Sequence, residues 1–399
     1  MGRRREGDGA QGTWAIVAGG GTAGHLNPGL AVARALVERG HDPATIHFVG
    51  AARGPEGTVV PSAGFSVDLL PGRGLQRRAA LANVTAALDL VRALAGGIRI
   101  VRRHRPAVVV VLGGYASFAC GVGAVLARVP IVLLEQNRLA GAVNRVLRRF
   151  ASASAVSFEG TDLPRAVVTG NPLRPEIRAV AGHPDRRGAR AELGLPDGRS
   201  VVAVFSGSLG SRRINEAVLG LVERWRDRAD LAIRHVVGRR DFAEVVRQSP
   251  LPHSGGLVHQ LVEYEDRMDL LLAAADVAVT RSGGSVFELM AAGVPAVLVP
   301  LPIASRDHQK ANAEAVAALG GAVIVPDDEL DADRLERELD ALLRDRDRLA
   351  SMAAAMRASA RPDAADEVAA VVERAARTDR SPTPAAAATV DPPEEGGRG

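Results

Sequence analysis

The chain has 399 residues, 47% hydrophobic and 24% charged, and its 50 basic against 46 acidic side chains leave a formal charge of +4. Lys310 is its only lysine and Cys120 its only cysteine, which excludes a disulfide scaffold and a multi-cysteine zinc site and fits a reducing compartment. The length suffices for two domains with separate cores, and the composition is globular rather than disordered.

Residues 1–12, MGRRREGDGAQG, begin with positive charge, but the apolar run that follows is too short for a signal peptide, so they read as a disordered tail. Trp14 to Ala18 reads as the first strand, entering Gly19-Gly20-Gly21-Thr22-Ala23-Gly24-His25-Leu26-Asn27-Pro28. Asn27 is expected to cap a helix with Pro28 at its first position, and Gly40 to stop it. His25 then lies just before a helix N-terminus, where the dipole keeps an imidazole neutral. It reads either as a turn histidine that bonds the loop or as a catalytic base. Gly19, Gly21 and Gly24 match G-x-G-x-x-G, yet the stretch after the next strand (Thr45 to Val49) holds no carboxylate for an NAD ribose. Arg53 in that stretch leaves an NADP oxidoreductase open.

Residues 73–105 gather Arg73, Arg77, Arg78, Arg92, Arg99, Arg102, Arg103 and Arg105 against Asp89 alone, with Leu81, Val84, Leu88 and Val91 at helical spacing. The expectation is a helix with its apolar stripe on the sheet and its arginines facing either water or an anionic membrane. The absence of interleaved aromatic residues disfavours nucleic acid. Ala107 to Ala127 carries no charge and could span a bilayer by length. Its pattern is instead a strand (Val108 to Leu112), a Gly113-Gly114 break and a short helix (Phe118 to Ala127), so a soluble protein is expected.

Ile131 to Leu134 is the next strand, and the Pro-rich segment 170–175 reads as a linker. Further strands follow at Ser200 to Phe205, Ile233 to Val237, Val277 to Thr280, Ala296 to Val299 and Ala322 to Val325. This alternation with helices is that of parallel α/β sheets. Glycine turns follow two of these strands, at Ser206 to Ser211 and at Arg281 to Ser285. The second leads into a helix carrying Glu288. Backbone amides at such helix starts suit a diphosphate, and a first-turn carboxylate suits ribose hydroxyls. Asp307-His308-Gln309 is a dense polar cluster, residues 349–377 read as helical, and 378–399 as a second disordered tail. No cluster has metal-ligand spacing. Residues 13–170 carry 17 arginines against 8 acids, a net +9, whereas 171–399 carry −6.

Taken in order, these turns resemble the MurG family over roughly residues 13–345. The matching segments are GGTAGH (20–25) with NPGLAVA after it, GGYAS (113–117), EQN (135–137), GNPLR (170–174), SGSLGSRRINE (206–216), RSGGSVFEL (281–289) and DHQKANA (307–313). That family transfers GlcNAc from UDP-GlcNAc to lipid I, undecaprenyl-pyrophosphoryl-MurNAc-pentapeptide, making lipid II. The resemblance implies an α/β fold of GT-B type, two Rossmann-like doubly wound domains facing each other across a cleft. An acceptor-binding, membrane-facing domain would span 13–170 and a UDP-GlcNAc-binding domain 171–348.

By the same resemblance, His25 is the candidate base, with Glu135 as rival or as the group that orients it. Thr22, Ala23, Gly24, His25, Asn137, Arg174, Ser208, Ser285, Glu288, His308 and Gln309 would contact UDP-GlcNAc. Arg174 and Ser208 would lie near the diphosphate, Glu288 at the ribose, and His308 and Gln309 at the sugar hydroxyls. Transfer would be inverting, with no catalytic metal and no cofactor. The expected partners are UDP-GlcNAc, lipid I, the anionic inner membrane surface and other cell-wall synthesis proteins, at the cytoplasmic face of the membrane. The chain departs from the family pattern at Leu134, usually His, and in Ser206-Gly207-Ser208-Leu209-Gly210, usually Gly-Gly-Ser-Gln-Gly. Those departures leave open a MurG-like transferase with another acceptor, or a UDP-sugar-binding homologue without turnover.

Overall fold

Runs of valine, isoleucine and alanine too continuous for an alternating strand predict sheets buried on both faces. Val108–Val111, four consecutive valines, is fully buried in this way. The computed structural model describes residues 12–21, 23–71, 80–182, 184–207, 210–251, 253–302 and 305–378. Apart from Gly12 and Thr378, the two expected tails lie outside these residues, as do Arg73, Arg77, Arg78, Thr22 and Ser208.

The first sheet contains β1 (Ala15–Ala18), β2 (Ile46–Ala51), β3 (Ser66–Leu70), β4 (Val108–Val111), β5 (Ile131–Glu135), β6 (Ala153–Val156) and β7 (Ala166–Val168). Its spatial order is β3-β2-β1-β4-β5-β6-β7. The second contains β8 (Ser200–Phe205), β9 (Leu231–Val236), β10 (Val258–Val262), β11 (Val277–Thr280), β12 (Ala296–Leu298) and β13 (Ala322–Ile324). Its order is β10-β9-β8-β11-β12-β13. All pairings are parallel, and each sheet has an apolar core on both faces. This is the two-domain doubly wound GT-B arrangement. Strand order reverses between β1 and β4 and between β8 and β11, so all four glycine turns open at the two switch points, where such sheets bind ligands.

β3, β6, β7 and β10 were not expected from the sequence. Each is short and polar or lies toward a sheet edge, as in Ser66-Val67-Asp68-Leu69-Leu70, so none has the continuous apolar run of a central strand. The first helix also departs from expectation. It runs Ala23–Glu38 with Pro28 inside it, so Asn27 is not its cap and His25 sits within its first turn. Pro28 has no N–H to give the Gly24 carbonyl, which leaves that acceptor unused by the helix beside the cleft.

The helix Gly114–Ala127 is 14 residues long and partly covered by the helix Ala80–His104. Among the described residues no helix is long and apolar enough to cross a membrane. Residues 349–377 form parts of two helices that serve different domains. Arg346–Ala358 sets Leu349, Met352 and Met356 into the second domain's cores. Ala364–Thr378 returns to the first domain, burying Val368, Val371 and Val372 with the helix Ala23–Glu38 and one face of β4, β5 and β6.

Candidate active site

A cavity of about 580 Å³ lies between the domains. Gly24, Asn27 and Pro28 of the first glycine helix line one wall, the linker residues Asn171 to Arg174 a second, and both glycine turns of the second domain the floor. Two helices begin at that floor. Ser211 caps Arg212–Arg224, its Oγ accepting from the Ile214 N–H at 3.5 Å. Ser285–Ala292 starts directly after Gly283-Gly284. Two helix N-termini aimed at one cavity create a positive site without a metal. Arg281 braces the floor: it donates to Ser211 Oγ at 2.6 Å and to the Val299 carbonyl at 3.0 Å, and pairs with Asp327. Ser206 Oγ and Asn171 Oδ1 border the cavity, buried and without protein partners. Unsatisfied polar atoms of this kind are expected where a polar ligand completes the site.

Arg174 and Glu288, assigned above to the diphosphate and the ribose, are in contact. Arg174 Nη2 and Nε donate to Glu288 Oε1 at 3.0 and 3.3 Å. Burial raises the Glu288 carboxyl above its ordinary value and the nearby guanidinium opposes that shift.

His25 stands on the other side of the cleft, directly over Gly113. A Cβ at position 113 would come within 2.8 Å of His25 Nε2, and Gly113 holds φ at 110°, so only glycine suits this turn. Burial lowers the His25 pKa below its ordinary value, and the nearby His308, first residue of the helix His308–Ala318, adds to the shift. His25 is therefore neutral near pH 7 and able to accept a proton.

Asn137 and Glu135 act as a unit. Glu135 Oε1 accepts from the Asn137 N–H at 3.0 Å and from Asn137 Nδ2 at 3.2 Å. Its Oε2 accepts from the Gly141 N–H and from Asn144 Nδ2, both at 2.8 Å. With four hydrogen bonds and 3% exposure, this carboxylate shapes the 136–144 loop and has no oxygen left for an acceptor hydroxyl. Asn137 in turn crosses the cleft, its Oδ1 accepting from Asn312 Nδ2 at 3.1 Å. Asn312 is fully buried, donates also to the Ser282 carbonyl, and accepts from the Arg138 N–H at 3.0 Å. Gln309 is held beside it: Ser282 Oγ donates to its carbonyl at 2.6 Å, and its Oε1 accepts from the Leu301 N–H at 3.0 Å.

Of the residues expected at the donor, Arg174, Ser285, Glu288 and Gln309 line the cavity, whereas His25, Asn137 and His308 do not line it and instead meet the opposite domain, His25 near His308 and Asn137 on Asn312. The Ala23 backbone begins the first helix and Gly24 lines the cavity. Asn312, Asn171, Ser206 and Glu56 were not singled out from the sequence. Asn312 follows His308 by four residues, hence on the same helix face, and could have been found from that spacing. Glu56 had no such signal. It is buried under the first glycine turn, where its Oε1 accepts the Gly21 N–H at 2.6 Å. A carboxylate bound to that amide repels a pyrophosphate, which removes the dinucleotide reading based on G-x-G-x-x-G.

Comparison with known families agrees with this geometry. Residues 15–156 match the glycosyltransferase family 28 N-terminal domain and residues 201–368 its C-terminal domain. A protein of Desulforudis audaxviator named UDP-N-acetylglucosamine--N-acetylmuramyl-(pentapeptide) pyrophosphoryl-undecaprenol N-acetylglucosamine transferase is 37% identical over 372 residues, 90% of this chain and 98% of its own. The protein of the same name from Moorella thermoacetica is 38% identical over 368 residues, 90% of this chain and 97% of its own. The crystal structure of Acinetobacter baumannii MurG superposes with a TM-score of 0.70 at 26% identity, covering 90% of this chain and 99% of the other.

Proposed function

We infer the chemistry of this cleft from the family to which the chain belongs, the MurG transferases of glycosyltransferase family 28. The protein moves N-acetylglucosamine from UDP-GlcNAc to undecaprenyl-pyrophosphoryl-MurNAc-pentapeptide, the lipid I to lipid II step of peptidoglycan synthesis. The observation that ties this reaction to particular residues is a cavity between the domains, floored by two helix N-termini and lined by Arg174, Glu288 and Gln309, with Gly24 of the histidine turn on its other wall.

In our reading the donor diphosphate lies over the starts of the helices Arg212–Arg224 and Ser285–Ala292. Glu288 accepts hydrogen bonds from the ribose, and Arg174, released from Glu288, meets the diphosphate. Ser208 and Thr22, outside the described residues, are proposed from the sequence resemblance to complete the donor contacts. His308 and Gln309 face the sugar hydroxyls, and Asn137, locked by Glu135 and Asn312, borders the sugar from the acceptor side.

The acceptor's MurNAc 4-hydroxyl attacks the anomeric carbon from the face opposite UDP. The new C–O bond forms as the bond to UDP breaks, the hydroxyl proton passes to His25, and configuration inverts. The negative charge gained by UDP meets preorganised amides and Arg174, so no step calls for a metal. Glu135 is then a positioning residue rather than the base.

The acceptor's undecaprenyl chain stays in the bilayer, so the enzyme must work at a membrane surface, which we assign to the cytoplasmic face. The +9 charge of residues 13–170 supports contact with an anionic leaflet, as do exposed Arg92, Leu90 and Val91 on the helix Ala80–His104. Val91 is 64% exposed, so the expected apolar stripe does not lie wholly on the sheet. Incubation with labelled UDP-GlcNAc and a lipid I analogue tests the function: labelled disaccharide-lipid is expected, and UDP-GlcNAc binding without product would leave only a sugar-nucleotide-binding protein.

A further inference from the structure

The sequence has no cluster with metal-ligand spacing, yet the first domain's topology assembles one at the end of the sheet away from the cleft. His47 is the second residue of β2, Asp68 lies on the adjacent β3, and His104 ends the helix Ala80–His104. One ligand atom from each lies within 4.8 Å of the others. His47 Nε2 is 3.2 Å and His104 Nε2 3.8 Å from Asp68 Oδ2, and the two rings stack with centroids 4.3 Å apart. A tetrahedral zinc with bonds of about 2.0–2.1 Å sets its ligand atoms about 3.3 Å apart, so modest side-chain closure suffices.

Three further observations point to a cation. Each imidazole has its Nδ1 engaged by a hydroxyl: His47 with Ser66 Oγ at 2.8 Å and His104 with Thr13 Oγ1 at 2.6 Å. Hydroxyls that accept from these two Nδ1 atoms form the outer-shell pattern that turns Nε2 toward a ligand. Secondly, His47 is 8% exposed, and its Nε2 is buried with no hydrogen-bond partner although it faces the Asp68 carboxylate. A buried nitrogen 3.2 Å from a carboxylate oxygen with no aligned N–H between them is satisfied when a cation joins the two. Thirdly, the Arg103 guanidinium supplies positive charge from the rim, its Nη2 lying 2.7 Å from Asp68 Oδ2 and 2.9 Å from His104 Nε2. Arg103 is 62% exposed and can swing into solvent.

We propose that His47, Asp68 and His104 form a binding site for a divalent transition cation, best suited to Zn²⁺, in which Arg103 substitutes for the metal when none is bound. The site joins β2, β3 and the end of the helix Ala80–His104, so it stabilises the first domain and takes no part in transfer. Chelator-treated full-length protein is titrated with Co²⁺, followed by its visible absorption and by thermal unfolding. One Co²⁺ per chain and a rise in Tm are expected. His104→Gln should abolish both, and Arg103→Ala should tighten binding by up to about fivefold, the worth of an exposed ion pair. Absence of saturable binding overturns the proposal. So does binding that survives both His104→Gln and Asp68→Asn, or that is lost in His308→Asn, which would assign the metal to the cleft. Weaker binding in Arg103→Ala, a variant at an exposed position, would also contradict it.

Discussion

At the scale of single residues, the cleft separates chemistry from binding. His25 is neutral because of burial and His308, so in the proposed mechanism replacing it removes the proton acceptor and leaves the donor contacts proposed for the opposite wall intact. His25→Ala is expected to lower kcat by about 10²–10⁴-fold, the usual worth of a general base, with UDP affinity little changed by calorimetry. Unchanged turnover would remove His25 from the mechanism. The direction of its pKa shift sets the pH dependence. A base whose pKa is lowered stays competent as pH falls through the ordinary imidazole value of about 6.5. The acid limb of the kcat profile is therefore expected below that value.

Glu288 gives the opposite signature. Its carboxylate is buried at the start of the helix Ser285–Ala292, paired with Arg174. Glu288→Ala should weaken UDP binding by about tenfold or more, the scale of a hydrogen bond to a charged group. Unaltered UDP affinity would contradict its ribose role.

At the scale of elements, the central strands were legible because both faces of a parallel sheet demand uninterrupted apolar residues. The glycine turns were legible because tight turns at strand ends have few other solutions. Edge strands such as β3 and β7 were not, since half-exposed segments carry no continuous run. The start of the first helix was misread for a related reason. Asn27-Pro28 is a strong local start signal, yet the chain already coils at Ala23, and the packing of Leu26 and Leu30 in the core fixes the earlier turn. The cleft's bridging network was hidden for a different reason. Asn137 and Asn312 are 175 positions apart, and nothing local to either reveals the pairing.

The last helix, Ala364–Thr378, shows how such long-range ties hold an element. It docks by its apolar face and by Glu373, which binds Arg39 Nη2 at 2.9 Å and His41 Nε2 at 3.1 Å. The hydrogen bond from Arg39 is the main reason the Glu373 pKa is lowered. A carboxyl with a depressed folded pKa contributes stability above its unfolded pKa, about 4.3, and loses it as pH falls from there through the folded value. Glu373→Gln is therefore expected to lower Tm at pH 7 and to narrow the gap to the parent as pH drops below about 4. An equal gap at both pH values would mean that the ion pair contributes nothing.

At the scale of the molecule, a formal charge of +4 conceals two unlike halves, +9 over residues 13–170 and −6 over 171–399. The acidic half nonetheless binds the nucleotide in this account, because local amides and helix N-termini outweigh its net charge at short range. The basic half suits an anionic bilayer. Sedimentation with vesicles is expected to increase with anionic lipid and to fall with salt, since exposed charges are screened over about 8–10 Å at physiological ionic strength. Sedimentation indifferent to both would remove the membrane contact.

In the proposed mechanism the first domain's histidine turn and the second domain's helix N-termini together carry out an inverting, metal-independent transfer. The decisive measurement is the product formed from labelled UDP-GlcNAc and a lipid I analogue in the presence of a chelator. A β-linked GlcNAc on the MurNAc 4-hydroxyl, formed at an undiminished rate, is expected. An α-linkage, or transfer abolished by the chelator and restored by a divalent cation, would contradict it.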